Sequence, residues 1–422
     1  MIYRSIYTVL VLALLPVAWL RLIWRAREEP GYARHIGERF GLYGPKPRGP
    51  VIWVHAVSVG ETRAATPLVA ALRERFPRCQ VLLTHMTPTG RATSEALFGD
   101  SVLRSYLPYD FPFAVRRFLA HYGPTLGLIM ETELWPNLIF VAHRQGVPLW
   151  LVNARLSEKS ARGYGRLSGL TRQSLQQLSG VCAQSQADAA RLTALGAASV
   201  HVCGNVKFDI TPPAVMLQRG RELRQRWGAT RPVFLAASTR EGEEALVLDA
   251  IAAMHVAGLL SVIVPRHPQR FDEVETLVKA RGLQVQRRSA EADVAADVDV
   301  VLGDSMGEMF AYYAACDVAF VGGSLLPLGG QNLIEACAVG KPVIVGPHTF
   351  NFAEATAQAI AAGAALRVND STGLAEATTR LFANPTQLQS MGEAGATFAR
   401  AHRGAVAKIL AALEEGGALP AP

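Results

Sequence analysis

Residues 318–347 read VAFVGGSLLPLGGQNLIEACAVGKPVIVGP. The apolar run Val318–Val321 stops at Gly322-Gly323, a Gly- and Pro-containing loop follows, a helix is expected from Gln331, and Gly340-Lys341-Pro342 leads into a second apolar run. That order of strand, loop, helix and strand is the unit of a parallel α/β sheet. Gly329-Gly330 permits the backbone to approach a ligand closely, and a helix start behind it offers N–H groups to a phosphate. Glu335, about one turn inside that helix, is suited to accept both hydroxyls of a ribose. An ordinary tight βα turn uses the same residue types.

The pattern repeats on both sides of this stretch. Strands are expected at 51–56, 80–84, 101–107, 125–130, 148–153, 180–183 and 200–203. A second series follows at 232–237, 261–264, 283–286, 299–302, 318–321, 342–345 and 365–368, with amphipathic stretches between. Residues 209–213, DITPP, continue neither a helix nor a central strand and mark a domain boundary. At 422 residues the chain exceeds what one core usually serves, so two Rossmann-like domains are expected, 28–210 and 211–422. Residues 372–413 read as helix throughout and fall in the second of these. Ligands of such sheets bind at the carboxyl ends of the strands.

Half of the residues are hydrophobic, and the mean hydropathy is +0.18. Part of that excess lies at the front, where the 19 positions from Ile6 to Trp24 are interrupted by one charge, Arg21. This approaches the roughly 20 residues needed to cross a bilayer, so residues 1–27 are expected to be a membrane anchor. A secretory signal fits less well, because arginines crowd the place of a cleavage site. Pro16 and Arg21 also leave room for a helix lying in the interface. The first 50 residues carry eight Lys/Arg against three Glu, which accounts for most of the formal charge of +7. A basic cluster beside an apolar segment favours a cytoplasmic body and attracts anionic phospholipid. The basic residues are not interleaved with aromatics across a domain face, which argues against nucleic acid. Five dispersed cysteines without a Cys-x-x-Cys pair suit reduced thiols rather than disulfides or a zinc site.

Polar residues gather at the expected strand ends. Glu61, in Ser58-Val59-Gly60-Glu61, can act as a general base toward a hydroxyl, although the same spacing also suits a first-turn acid that satisfies the helix dipole. Thr87 and Thr89 lie on the next loop and can receive an acceptor or cap a helix. Glu131 and Glu133 flank Thr132 at the end of an apolar strand, a costly place unless the carboxylates are paired or used. Arg155 can balance them. Lys207 stands at the boundary, where a salt bridge to Asp209 is the plain alternative. In the second half, Ser238 and Thr239 close a strand beside Arg240, Pro265-Arg266 closes the next with a cation fit for phosphate, and Gly307-Glu308-Met309 opens a helix.

In this order, VSVGE, METELWPN, NARLS, KFD, STREGEE, PRHP, GEM and GGQNLIEA resemble the Kdo transferase family, and the resemblance runs over essentially the whole chain. It implies an α/β GT-B fold, with two Rossmann-like domains facing across a cleft and an N-terminal anchor. It also implies transfer of 3-deoxy-D-manno-octulosonic acid (Kdo) from CMP-β-Kdo to the 6′-hydroxyl of the lipid A precursor, with inversion, at the cytoplasmic face of a bacterial inner membrane. By resemblance Glu61 is the base, and Glu131 and Lys207 stabilise the transition state. Pro265, Arg266, Gly307, Glu308, Met309 and the segment Asn332, Leu333, Ile334, Glu335 match the CMP site. Ser238 and Thr239 join the donor side, and Ser58, Thr87, Thr89 and Arg155 the acceptor side. No cofactor and no metal is implied. Arg240 departs from the pattern, which usually has His there. The remaining alternatives are a UDP-sugar transferase or epimerase of the same fold, and a membrane-tethered sensor without turnover. The number of Kdo residues added and the oligomeric state stay open.

Overall fold

The computed structural model describes residues 2–420. They form two compact units, one running to Asp209 and resuming at Arg403, the other Ile210–His402. In the first unit seven strands are ordered β3-β2-β1-β4-β5-β6-β7. These are β1 (Val51–His55), β2 (Gln80–His85), β3 (Leu103–Tyr106), β4 (Pro124–Met130), β5 (Leu149–Ala154), β6 (Gly180–Ala183) and β7 (Val200–Val202). Every pairing is parallel. β1 and β5 are buried along their whole length because helices cover both faces, which is why they read as apolar runs rather than as alternation. Ile52 and Val54 face one core with Leu68 and Leu72; Trp53 faces the other with Phe118 and Leu138.

The second unit repeats the plan in the order β10-β11-β9-β8-β12-β13-β14. Its strands are β8 (Val233–Thr239), β9 (Leu260–Pro265), β10 (Val285–Arg287), β11 (Val300–Leu302), β12 (Val318–Val321), β13 (Val343–Val345) and β14 (Ala365–Arg367). In each unit the winding reverses once, between β1 and β4 and between β8 and β12. A crevice opens at such a reversal, because the flanking connections leave in opposite directions. The strand ends carrying Glu61, Glu131 and Ser238 all lie at these two places.

Two expectations are corrected. The C-terminal helix Ala405–Glu415 does not belong with the second sheet: Ala405, Val406, Ile409, Leu410 and Leu413 join the core of Ile52 and Val54. Its Ala/Leu periodicity announces an apolar face but not which sheet the face will cover. The Asp209 carboxylate accepts from the amides of Gly404, Ala405 and Val406 and so caps this helix. The second concerns the front of the chain.

There the apolar stretch is two helices, α1 (Ile2–Ala13) and α2 (Leu15–Glu28), bent by 47°. Pro16, in the first turn of α2, cannot donate to the preceding turn and breaks the run. Among the described residues no single helix is long and apolar enough to cross a membrane; the bent pair together has the length and composition. Three polar residues of α1, Arg4, Tyr7 and Thr8, face the body. Thr8 Oγ1 donates to Asn137 Oδ1 at 2.8 Å, and the Arg4 guanidinium stands 3.6 Å over the Phe140 ring. Tyr7 bonds the buried carboxylate of Asp110, which also receives the amides of Asn137 and Leu138. The apolar residues Ile6, Val9, Leu10, Val17, Leu20 and Trp24 are exposed, the reverse of a helix in a water-soluble protein.

Candidate active site

In the first unit, β1 ends at His55 and a short helix, Val59–Ala64, follows. Ser58 caps it, its hydroxyl accepting from the Glu61 amide at 3.5 Å, while Glu61 folds back so that Oε2 accepts from the Val57 amide at 2.7 Å. This is a reciprocal capping box, the plain alternative for Ser58 and Glu61. Yet the carboxyl is not held low. Burial pushes its pKa up to about 7 against the pull of the Val57 amide, and the charges of Glu131 and Glu133 add to the rise. A group poised there is half ionised near neutrality and suited to take a proton from a hydroxyl.

Glu131 leaves the end of β4 with φ +57°, a left-handed conformation that costs a residue with a side chain on the order of 1–2 kcal/mol. Asn153, in β5, has φ +54° and Ser238, in β8, has φ +56°. The three strained residues lie in or directly after strands at the carboxyl ends of the sheets, where function concentrates such strain. Glu133 is itself pushed up by burial, and Glu131 contributes. The balancing role expected of Arg155 is corrected: its side chain is exposed, and no ion pair joins it to either carboxylate among the described residues. Thr87 caps the helix Pro88–Phe98 by accepting from the Gly90 amide and reaches the Val57 carbonyl at 3.3 Å, so the two loops lie side by side; Thr89 is exposed.

Lys207 sits on a single turn, Val206–Phe208, whose placement the sequence did not explain. Buried Asn153 accepts from the Val206 amide with Oδ1 at 3.1 Å, Gln184 Nε2 donates to the Asn153 carbonyl at 2.9 Å, and Asn205 Nδ2 donates to Gln184 Oε1 at 3.0 Å. These three amide side chains position Lys207. The Asn in NARLS was the available signal, but the partners lie 31 and 53 positions away.

In the second unit the glycine-rich stretch behaves differently from expectation. The helix begins at Ile334, three residues late, and is five residues long, so Glu335 lies in its first turn. Gly322 is where β8 and β12 come close: a Cβ there would lie 2.8 Å from the Ser238 carbonyl oxygen. Glu243, fully buried, accepts from the amides of Gly323, Ser324, Leu325 and Arg240. Gly330 and Gln331 donate their amides to the Gly323 and Gly322 carbonyls. At Gly329 a Cβ would meet Asn351 at 2.3 Å. The glycines therefore admit the protein's own chain, and the amide nest is filled by an internal carboxylate rather than left for a ligand phosphate.

Other donor-side residues sort accordingly. Thr239 is buried and donates to Glu244, which also holds Arg270 at 3.0 Å, so its hydroxyl is structural. Leu333 and Ile334 are core residues. Asn332 caps the Ile334 amide and donates Nδ2 to Glu335 Oε1 at 3.1 Å, orienting a half-exposed carboxylate. Glu308 is bound by Arg288 at 2.9 Å and by Ser305, beside exposed Gly307 at φ +81°, with Met309 opening the helix. Pro265 is buried, and the Arg266 amide donates to the Thr239 carbonyl, which sets Arg266 beside the β8 end. His267 is depressed by burial first, and then by the charges of Arg240, Arg266 and Arg270. Arg240 is thus part of a cationic group that sequence reasoning passed over. Among the described residues no cluster of three or more His, Cys, Asp or Glu is arranged to hold a metal ion.

Residues 34–210 match the family described as 3-Deoxy-D-manno-octulosonic-acid transferase (kdotransferase), and 279–398 match that described as Glycosyl transferases group 1. The 3-deoxy-D-manno-octulosonic acid transferase of Bordetella pertussis is 49% identical over 98% of this chain and 99% of its own length. That of Haemophilus influenzae is 38% identical over 97% of each. A solved UDP-GlcNAc 2-epimerase from Neisseria meningitidis superposes with a TM-score of 0.58 at 16% identity, over 87% of this chain and all of the epimerase, which establishes the two-domain, GT-B-like fold alone. With near-complete coverage at these identities, the chain belongs to the 3-deoxy-D-manno-octulosonic acid transferase family.

Proposed function

We propose that this chain transfers Kdo from CMP-β-Kdo to the 6′-hydroxyl of the lipid A precursor, with inversion. The observation that carries the reading is Glu61, a carboxyl raised to about 7 at the winding reversal of the first sheet, beside a strained second carboxylate. Ionised Glu61 takes the proton of the hydroxyl as its oxygen attacks the anomeric carbon of Kdo. The bond from that carbon to the CMP phosphate oxygen breaks on the opposite face, and CMP departs as an anion. Lys207, fixed by Asn153, Gln184 and Asn205, and Arg266 with Arg240 beside it, offset the charge that develops. Glu131, held at its unusual φ, faces the positive character that grows on the sugar. Glu335, oriented by Asn332, accepts from the ribose hydroxyls. These cations supply the neutralisation usually asked of a divalent ion, so activity is expected to survive EDTA.

The outward apolar face of α1 and α2, with the basic residues of α2's last turn, supports attachment to the cytoplasmic leaflet of a bacterial inner membrane, where the acyl chains of the acceptor reside. The test is mass analysis of lipid after the purified protein meets tetraacyl lipid A precursor, Kdo, CTP and a CMP-Kdo synthetase. One or more added Kdo masses with the native chain, and none with Glu61→Ala, is the expected result. Competition by UDP but not CMP would overturn the donor assignment.

A further inference from the structure

The helix Glu158–Arg166 touches the first unit through half-buried Ala161 and Tyr164 and buries none of its residues. Its outer face carries Lys159, Arg162 and Arg166, spaced i, i+3, i+7 on one stripe, and exposed Arg155 precedes its Ser157 cap. Among the described residues none of these four cations makes an ion pair or a side-chain hydrogen bond. Other arginines of the chain differ: Arg91, Arg191, Arg219, Arg224, Arg270 and Arg288 each hold an acid. Four neighbouring cations with only Glu158 among them repel one another, and they lower the energy of an anion brought from outside.

Two contacts locate the stripe. Tyr164 Oη donates to the Thr132 carbonyl at 3.4 Å, which sets the helix against the loop of Glu131 and Glu133. Leu167, just past its end, is 64% exposed, and the following helix, Ser168–Gln176, meets α1 at Gly169, where a Cβ would lie 2.4 Å from the Tyr3 ring. The helix that carries the cations thus adjoins the carboxylate loop on one side and the helix that meets α1 on the other.

Resting on the function proposed above, we infer that Arg155, Lys159, Arg162 and Arg166 bind a phosphate of the membrane-embedded acceptor glycolipid and hold its disaccharide at the carboxylate loop. The lipid A precursor is a phosphorylated disaccharide on acyl chains, so an anion next to an apolar surface matches what the stripe adjoins. Bulk phospholipid needs no such proximity to Glu131.

The test compares native chain with Arg162→Gln/Arg166→Gln, and with Arg162→Lys/Arg166→Lys, on tetraacyl precursor with its phosphates intact or removed by phosphatase. Loss of charge-assisted bonds to phosphate is expected to raise KM for the phosphorylated acceptor about tenfold or more, with kcat within about twofold. The dephosphorylated acceptor shows no difference between variant and native chain, and the lysine pair retains most of the preference. Equal losses on both acceptors, or an unchanged KM, overturn the inference. So does a parallel loss of binding to phosphatidylglycerol vesicles free of acceptor, which would assign the stripe to the membrane at large. If the native chain transfers no Kdo to either acceptor, the function fails first. Flotation with vesicles containing each glycolipid then still decides the stripe: a phosphate-dependent difference lost in the glutamine variant supports it, and no difference overturns it.

Discussion

At Glu61 two influences oppose one another. The capping box would hold the carboxyl low, and burial with two carboxylate neighbours drives it up to about 7. The base works ionised, so kcat/KM should rise tenfold per pH unit below about 7 and level off above it. Glu133 raises Glu61, so removing its charge lowers the pKa: in Glu133→Gln the acid limb of the profile should move to lower pH. An unmoved limb would show that another group titrates. Glu61→Gln should cost about 10²- to 10⁴-fold in kcat, the usual weight of a general base. The sequence made both Glu61 roles visible, since Ser-x-x-Glu is a cap signature and a strand-end carboxylate is a candidate base. It could not show the burial that raises the carboxyl, because that comes from loops far along the chain. Arg240 was visible as a departure from the family pattern, but its cationic company was not, as Arg266 and Arg270 follow a different strand.

At the scale of elements, the strands were legible because both sheets are covered on both faces and every central strand is an apolar run. The glycine-rich stretch after β12 was legible as a turn, but not as one held from within the protein. Its amides are taken by Glu243, 80 residues upstream in STREGEE, where it reads as an ordinary first-turn acid. Glu243→Gln replaces one acceptor oxygen with an amide group that faces donors. Hydrogen bonds to a buried charge are worth about 1.5–3 kcal/mol each, so thermal unfolding should come several degrees earlier and CMP affinity should fall about tenfold. Glu61→Ala should leave CMP affinity unchanged. Calorimetry with CMP on both variants checks the pair, and normal CMP binding by Glu243→Gln would show that the loop Glu243 holds does not shape the CMP site. At the front, Pro16 was visible as a weak point, but the inward turn of Arg4, Tyr7 and Thr8 depends on Asp110, Asn137 and Phe140, which no local pattern announces.

For the whole molecule, two domains and their boundary near Asp209 followed from length and DITPP. The return of the last segment did not. A chain ending at His402 should lose the first unit, because Ile409, Leu410 and Leu413 leave its core and each buried aliphatic side chain contributes about 1.5–3 kcal/mol. Limited proteolysis should then degrade the first unit while 210–402 persists; a protease-resistant first unit in the truncated chain would contradict this. The same return sets an order of events during synthesis. The second unit is contiguous and can complete while the ribosome is still translating, whereas the first, though begun earlier, waits for the segment that resumes at Arg403. Until Ala405–Glu415 has left the ribosome, the half that carries Glu61 and the apolar front remains an open sheet, a client for chaperones. A nascent polypeptide therefore closes the core beneath Glu61 only after its second half has been made.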